Sequence, residues 1–248
     1  MNPQSLTQAK QIFLDIKKGL GRKERQTIVG IAPPYPFLET VHKLNVRDQI
    51  EVWAQSVSAH KAGAHTGRVS LSMLQSVGVT GVIIGHSECR AAGESDADVE
   101  DKIKATLKHS VPITVCIGEP ARDADGSFYS LLESQLAHIL SAIPKRKLHL
   151  LTIAYEPIWA IGSGTAATPA DVQEMKLYIQ KCIADRCGRS ALAKVAIMYG
   201  GSVTKQNADA LLRESQVDGF LIGGASLRAS EFVQIIHSVE AYAQESLT

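Results

Sequence analysis

The sequence predicts a parallel α/β fold, a (β/α)8 barrel, and three features carry that expectation. Short apolar, β-rich runs alternate with segments of helical period along all 248 residues. The runs are nearly continuous in apolar character, as strands covered on both faces must be. Candidate functional groups follow one strand after another, at Gln55, His86, Glu119, Glu156, the Gly200-Gly201-Ser202 turn and Gly223-Gly224. A doubly wound sheet is the competitor, but a ring of strands delivers every C-terminal end to one mouth and so explains that spread better.

The elements follow in order. Leu6, Ala9, Phe13, Ile16 and Leu20 mark one face of a 3.6-residue repeat, so a helix opens the chain. Strands are expected at Thr27–Ala32, Glu51–Ser58, Val79–Gly85, Ile113–Gly118, Leu151–Tyr155, Val195–Tyr199 and Gly219–Ile222. Helices fit between them at 36–44, 70–77, 96–108, 128–141, 205–213 and 230–243. Thr168-Pro169-Ala170-Asp171 opens a further helix, with Thr168 as its cap and proline at the first helical position. Eight helices but seven strands result, which leaves a first strand unaccounted for. The composition never shifts as it would at a linker, so residues 1–248 are expected to form one domain.

Bulk composition is that of an ordinary globular protein, 45% hydrophobic and 21% charged. A net charge of +1 gives no reason to expect nucleic acid or an acidic membrane as a partner. Any anion must therefore be held by local design. The four cysteines, Cys89, Cys116, Cys182 and Cys187, form neither a CxxC pair nor a zinc spacing, and Cys116 reads as a small core residue. Asp96, Asp98, Glu100 and Asp101 cluster at a helix start, where they complement its dipole, so no metal site is expected there. The N-terminus lacks an apolar signal core and no stretch approaches a membrane span, which fits a reduced cytoplasmic setting.

The most informative segment is Ala154-Tyr-Glu-Pro-Ile-Trp-Ala-Ile-Gly-Ser-Gly-Thr165. A buried strand delivers Glu156 at its end, Pro157 removes a backbone donor and stops it, and an apolar flap with glycine hinges follows. Alone, such a glutamate is an ordinary surface residue; the flap behind it points to chemistry. Val82-Ile83-Ile84-Gly85-His86 places a histidine where a strand gives way to a helical turn. Backbone N–H groups there would keep the ring neutral, able to donate to a carbonyl oxygen. A satisfied structural histidine is the plainer reading, but a second strand-end group on the same barrel face favours function. Tyr199-Gly-Gly-Ser-Val203 and Leu221-Ile-Gly-Gly-Ala225 are glycine turns after the last two strands, where barrels commonly bind phosphate through main-chain amides. Either pair alone is only a tight turn; together they suggest an oxyanion site. Gly63-Ala-His-Thr-Gly67 is an exposed loop or a contact to a second subunit.

These pieces, with Ile84-Gly-His-Ser-Glu88 and Gly219-Phe-Leu-Ile-Gly-Gly-Ala-Ser226, resemble triosephosphate isomerase in order and spacing over essentially the whole chain. The resemblance implies a TIM barrel and interconversion of dihydroxyacetone phosphate and glyceraldehyde 3-phosphate without a cofactor. The pairing of a base with a neutral imidazole is that family's known chemistry. It makes Glu156 the base and His86 the group that polarises and protonates the enediolate oxygens. It assigns the phosphate to amides of Gly162, Ser202, Gly223 and Gly224. Pro157 to Ala167 becomes a lid held shut by Tyr199 and Ser202, which would exclude water and guard the intermediate. Thr66 falls at the tip of a loop that enters a partner, so a homodimer is implied.

Departures accompany the match. The family's first strand ends in Asn-Trp-Lys-Met-Asn, and Met1-Asn2 aligns with its last two residues. The substrate-binding Asn and the catalytic Lys have no counterpart here, and Glu88, which resembles the carboxylate partner of that Lys, is left without it. Lys17 and Lys18 lie along the first helix, away from the mouth. The leading expectation is an N-terminally truncated reading of a fuller enzyme, which an in-frame upstream Asn-Trp-Lys codon run would support. The alternative, if the chain is translated as it stands, is an inactive or binding-only barrel remnant; a different phosphosugar isomerase is disfavoured by the flap. Thr165-Ala166 in the lid hinge, His65 in the interface loop and Ser56 also differ from the family's usual residues.

Overall fold

A computed structural model describes residues 2–21, 25–45, 50–161 and 167–245. Among the described residues seven strands, β1 Gly30–Ile31, β2 Glu51–Ala54, β3 Gly81–Ile84, β4 Ile113–Ile117, β5 Leu151–Tyr155, β6 Ala196–Tyr199 and β7 Gly219–Phe220, form one sheet in sequence order. Every pair is parallel, with Ile113 opposite Leu151 and Thr152 opposite Ala196 setting the central register. Helices α1 Leu6–Leu20, α2 Leu38–Leu44, α3 Leu71–Ser76, α4 Ser87–Ala91, α5 Asp96–Leu107, α6 Ser127–Ser141, α7 Pro169–Cys187, α8 Ala208–Ser215 and α9 Ala229–Glu245 connect them. This is the TIM-type α/β architecture, with consecutive strands as neighbours and helices as crossovers.

The sequence signals act where they stand. Ser5 caps α1 by accepting from the Gln8 amide, and Gly21 ends it at a φ of 64°, a left-handed position suited to glycine. Ala9, Phe13, Ile16 and Leu20 are buried as the period requires, but Leu6 at the first turn lies outside the packed stripe. Ser95 and Thr168 close capping boxes with Asp98 and Asp171, so two acids of the Asp96–Asp101 region serve helix initiation and an Arg90 contact. The first and last helices pack together, α1 on α9: a Cβ on Gly19 would approach Val233 to 2.8 Å.

Strands are shorter than their apolar runs. Thr27–Ala32 narrows to two paired residues, and Glu51–Ser58 ends at Ala54, with Ser58 bridging Ser70 separately. Leu151–Tyr155 agrees to the residue because β4 pairs with it over that whole length and β6 pairs with Thr152–Tyr155. Among the described residues, β1 pairs only with β2 and β7 only with β6.

Two cores result. One fills the layer between sheet and helices, around Ile84, Ile117, Leu132, Leu136, Ile153 and Ile197. The other lies inside the curl of the sheet and comprises Ile83, Cys116 and Ala154, flanked by Ala32, Trp53 and Leu221. Alternate residues of β3 and β4 thus enter different cores, which is why both strands are buried throughout. Trp53 covers the interior where β1 and β3 carry glycine: a Cβ on Gly81 would meet its ring at 2.3 Å. Its indole N–H donates to Glu51 at 2.7 Å.

Candidate functional site

The C-terminal ends of β3, β4, β5 and β6 build the site. After β3, Gly85 turns at a φ of 72°, where a side chain would be strained, and releases the chain into α4. Arg90 fixes this turn by donating to the Gly85 carbonyl at 2.9 Å and the Cys116 carbonyl at 3.4 Å, while pairing with Asp96. His86 is therefore the cap of α4, and its Nδ1 accepts the Glu88 amide at 3.3 Å. With Nδ1 an acceptor, the ring proton belongs on Nε2.

That Nε2 faces Glu156, and its distance to Oε1 is 3.0 Å. The other carboxylate oxygen accepts the Ser87 amide at 2.8 Å. Glu156 is 2% exposed, and burial raises its pKa; the His86 ring and the Ser87 N–H oppose that rise. The buried Cys116 thiol also touches this environment, and desolvation followed by the Glu156 charge pushes it well above its ordinary value. A carboxylate of raised basicity beside an N–H donor can move a proton from carbon while an adjacent oxygen is polarised.

Backbone crowding explains why glycines surround the carboxylate. The Glu156 amide donates to the Ile117 carbonyl at 2.8 Å, and the Gly200 amide to the Tyr155 carbonyl at 2.8 Å. A Cβ on Gly118 would lie 1.8 Å from the Glu156 carbonyl oxygen, and one on Gly200 would lie 2.8 Å from Glu156 Cγ. Gln135, buried on α6, locks Gly118 by accepting its N–H at 3.0 Å and donating to its carbonyl at 3.3 Å.

The remaining sequence-derived residues fall as follows. Tyr199 ends β6 fully buried, and burial raises its pKa to about 12. Its hydroxyl lies near the Ala167 and Ser202 backbone without completing a hydrogen bond among the described residues. Ser202 follows in the exposed turn, and Gly223 and Gly224 open a 3-10 turn after β7. Among the described residues the amides of Ser202, Gly223 and Gly224 donate to no protein acceptor, which leaves them available to an anion. Glu88 is exposed in the first turn of α4 and contributes its backbone N–H rather than its carboxylate. Thr66 lies in a wholly exposed excursion between β2 and α3, whose Gly63 and Gly67 have φ of 113° and 78°. Gly162 and the lid residues up to Ala166 lie outside the described residues.

Sequence reasoning missed the supports: Gly118, Gln135 and Arg122 had no assigned part, and Glu119 was only one strand-end group among several. Glu119, 0% exposed, accepts from the Tyr155 hydroxyl at 2.7 Å and the Trp159 indole at 2.8 Å. A strand-end acid followed three residues later by arginine was the available signal.

Comparison with known proteins shows the family. A family model described as triosephosphate isomerase matches residues 1–239. A triosephosphate isomerase of Chloroflexus aurantiacus is 42% identical over 93% of the chain and 92% of that protein. One from Roseiflexus castenholzii is 39% identical, covering 93% and 91%, and one from Carboxydothermus hydrogenoformans 40%, covering 84% of each.

Proposed function

The chain belongs to the triosephosphate isomerase family, and from that premise we propose that Glu156 is the base and His86 the electrophile of the isomerisation. The family's reaction is a glycolytic one, interconverting dihydroxyacetone phosphate and D-glyceraldehyde 3-phosphate through an enediolate. Glu156 takes a proton from the carbon beside the substrate carbonyl. His86 Nε2–H hydrogen-bonds the carbonyl oxygen and then supplies and recovers protons between the two enediolate oxygens. Glu156 returns its proton to the neighbouring carbon. Substrate and product are redox-neutral isomers, so these transfers complete the chemistry.

The observation that carries this reading is the 3.0 Å approach of a buried carboxylate to an imidazole nitrogen at another strand end. The amides of Ser202, Gly223 and Gly224, with that of Gly162, would take the phosphate, since exposed N–H groups in glycine turns suit an oxyanion. Tyr199 and Ser202 would meet the backbone at Ala167. Glu88 supports His86 through its amide. The scheme draws only on groups found among residues 1–248.

The same proposal includes a single domain over 1–248 and a homodimer in which the Thr66 loop enters the partner. No helix among the described residues is long and apolar enough to cross a membrane, which is compatible with a cytoplasmic enzyme. An isomerase assay in deuterated water tests the core of the proposal. Active protein should place solvent deuterium on the product carbon that Glu156 reprotonates, and E156Q should not. Equal turnover by E156Q would remove the assignment.

A further inference from the structure

Outside the reacting pair, one charged cluster is built with unusual economy. Arg122, in the connection after β4, is 20% exposed and meets four polar side chains from three parts of the fold. Its Nε donates to Glu119 Oε1 at 3.4 Å and one terminal nitrogen to the Tyr155 hydroxyl at 3.3 Å. The guanidinium also reaches the Asp171 carboxylate at 3.0 Å, the Asp171 carbonyl at 3.2 Å and Glu174 at 3.1 Å. Its Cζ lies over the Trp159 ring, 5.4 Å from the centroid, and over that of Phe128 at 5.5 Å.

Besides Glu119 and Phe128, the partners come from two stretches, Tyr155–Trp159 and Asp171–Glu174. Tyr155 and Trp159 flank Glu156 on its leading side, and Glu119 holds both, while its own carbonyl accepts the Ile158 amide at 3.0 Å. Asp171 is the capping-box acid in the first turn of α7. Glu119 Oε2 is buried with no hydrogen-bond partner among the described residues, so the nearby cation offsets a charge that Tyr155 and Trp159 only partly satisfy. Burial acts to lower the Arg122 pKa, but its bonds to Tyr155 and Glu119 override that and hold the guanidinium charged.

We infer that Arg122 is a positioning residue for the isomerisation: it ties the Glu119–Tyr155–Trp159 cluster beside Glu156 to the Asp171 cap of α7. It acts through those groups and touches no substrate. Lysine could not do this, since a single ammonium cannot bridge Glu119 and Asp171 while stacking on Trp159. The inference rests on Glu156 being the base.

The test uses the full chain with W53F, which leaves Trp159 as the only tryptophan. R122Q should keep its fold by circular dichroism, lose about ten-fold in kcat with a smaller change in KM, and red-shift Trp159 emission. E119Q and D171N should affect kcat non-additively when Arg122 is present and additively in R122Q. Should R122Q fail to fold, R122K takes its place, since it keeps the cation but loses the bridge. A folded R122Q or R122K with kcat within about two-fold of the parent, or persistent coupling of E119Q and D171N, overturns the inference. E156Q runs alongside: if it retains turnover, the failure belongs to the assignment of the base and not to Arg122.

Discussion

His86 and Glu156 are in direct contact, Nε2 to Oε1 at 3.0 Å, with the Ser87 amide on the carboxylate's second oxygen. The proposed base and electrophile are thus each other's hydrogen-bond partners, and in the proposed scheme a substrate carbonyl takes the place of Oε1 at the imidazole. The carboxylate keeps its Ser87 contact or gives it up as it turns towards carbon.

Removing either partner should separate their roles. E156Q deletes the base and should lower kcat by about 10³-fold, within the usual range for a positioned general base. H86Q keeps a donor of similar reach but cannot shuttle a proton, so kcat falls while KM changes little. Steady-state kinetics in both reaction directions would read this out. Turnover by E156Q near the parent rate would be incompatible with the assignment.

The pH dependence follows from the burial of Glu156. Its pKa lies above the ordinary 4.5, chiefly through desolvation, so activity should fall on acidification with a midpoint above that value. The same shift means the folded state holds this proton more tightly than the unfolded chain. The contribution to stability is therefore full below the ordinary value and is lost as pH rises through the raised one. E156Q should accordingly be more stable than the parent at neutral pH, with the gain shrinking towards pH 4. Thermal unfolding followed across that range checks the sign; a gain that grows on acidification contradicts it.

Gly118 and Gly200 should differ in how they fail. A methyl at Gly118 would lie 1.8 Å from the Glu156 carbonyl oxygen, a backbone atom that cannot rotate away, so G118A should lose activity and about 1–3 kcal/mol or more of stability. At Gly200 the obstacle is Glu156 Cγ at 2.8 Å, part of a side chain, so G200A should fold and lose turnover. Denaturant titrations beside kinetics distinguish them. Wild-type stability in G118A would show that the β4 and β5 ends can separate freely.

Association is testable at the Thr66 loop. Replacing residues 63–67 by a shorter turn should convert a proposed homodimer into monomer, seen by sedimentation velocity at micromolar concentration. Parent protein sedimenting as a monomer under the same conditions would remove the dimer from the proposal.

Much of this was legible in the residues themselves. Apolar strands, Pro157 after Glu156, the Thr168-Pro169 helix start and the glycine pairs each act through local backbone chemistry, and each local effect is visible in its own neighbourhood. Glu156 and His86 were recognisable because strand ends in a parallel barrel converge whatever their separation in sequence.

The supporting shell was not legible. Gln135 reaches Gly118 across 17 residues, and Arg122 reaches Asp171 across 49, contacts that no periodicity encodes. The narrowing of Thr27–Ala32 to two paired residues likewise depended on its neighbour and not on its own β-propensity. By itself, then, the sequence determined the alternating elements, their caps and breaks, and which two strand-end groups to propose as the reacting pair, because those depend on covalent neighbours and a repeating topology. Only the tertiary structure decided that the carboxylate is buried against the imidazole, that Gly118 must lack a side chain, and which cation faces Glu119. Desolvation, steric contact and charge pairing all fall off over a few ångströms of space, and folding alone sets those distances.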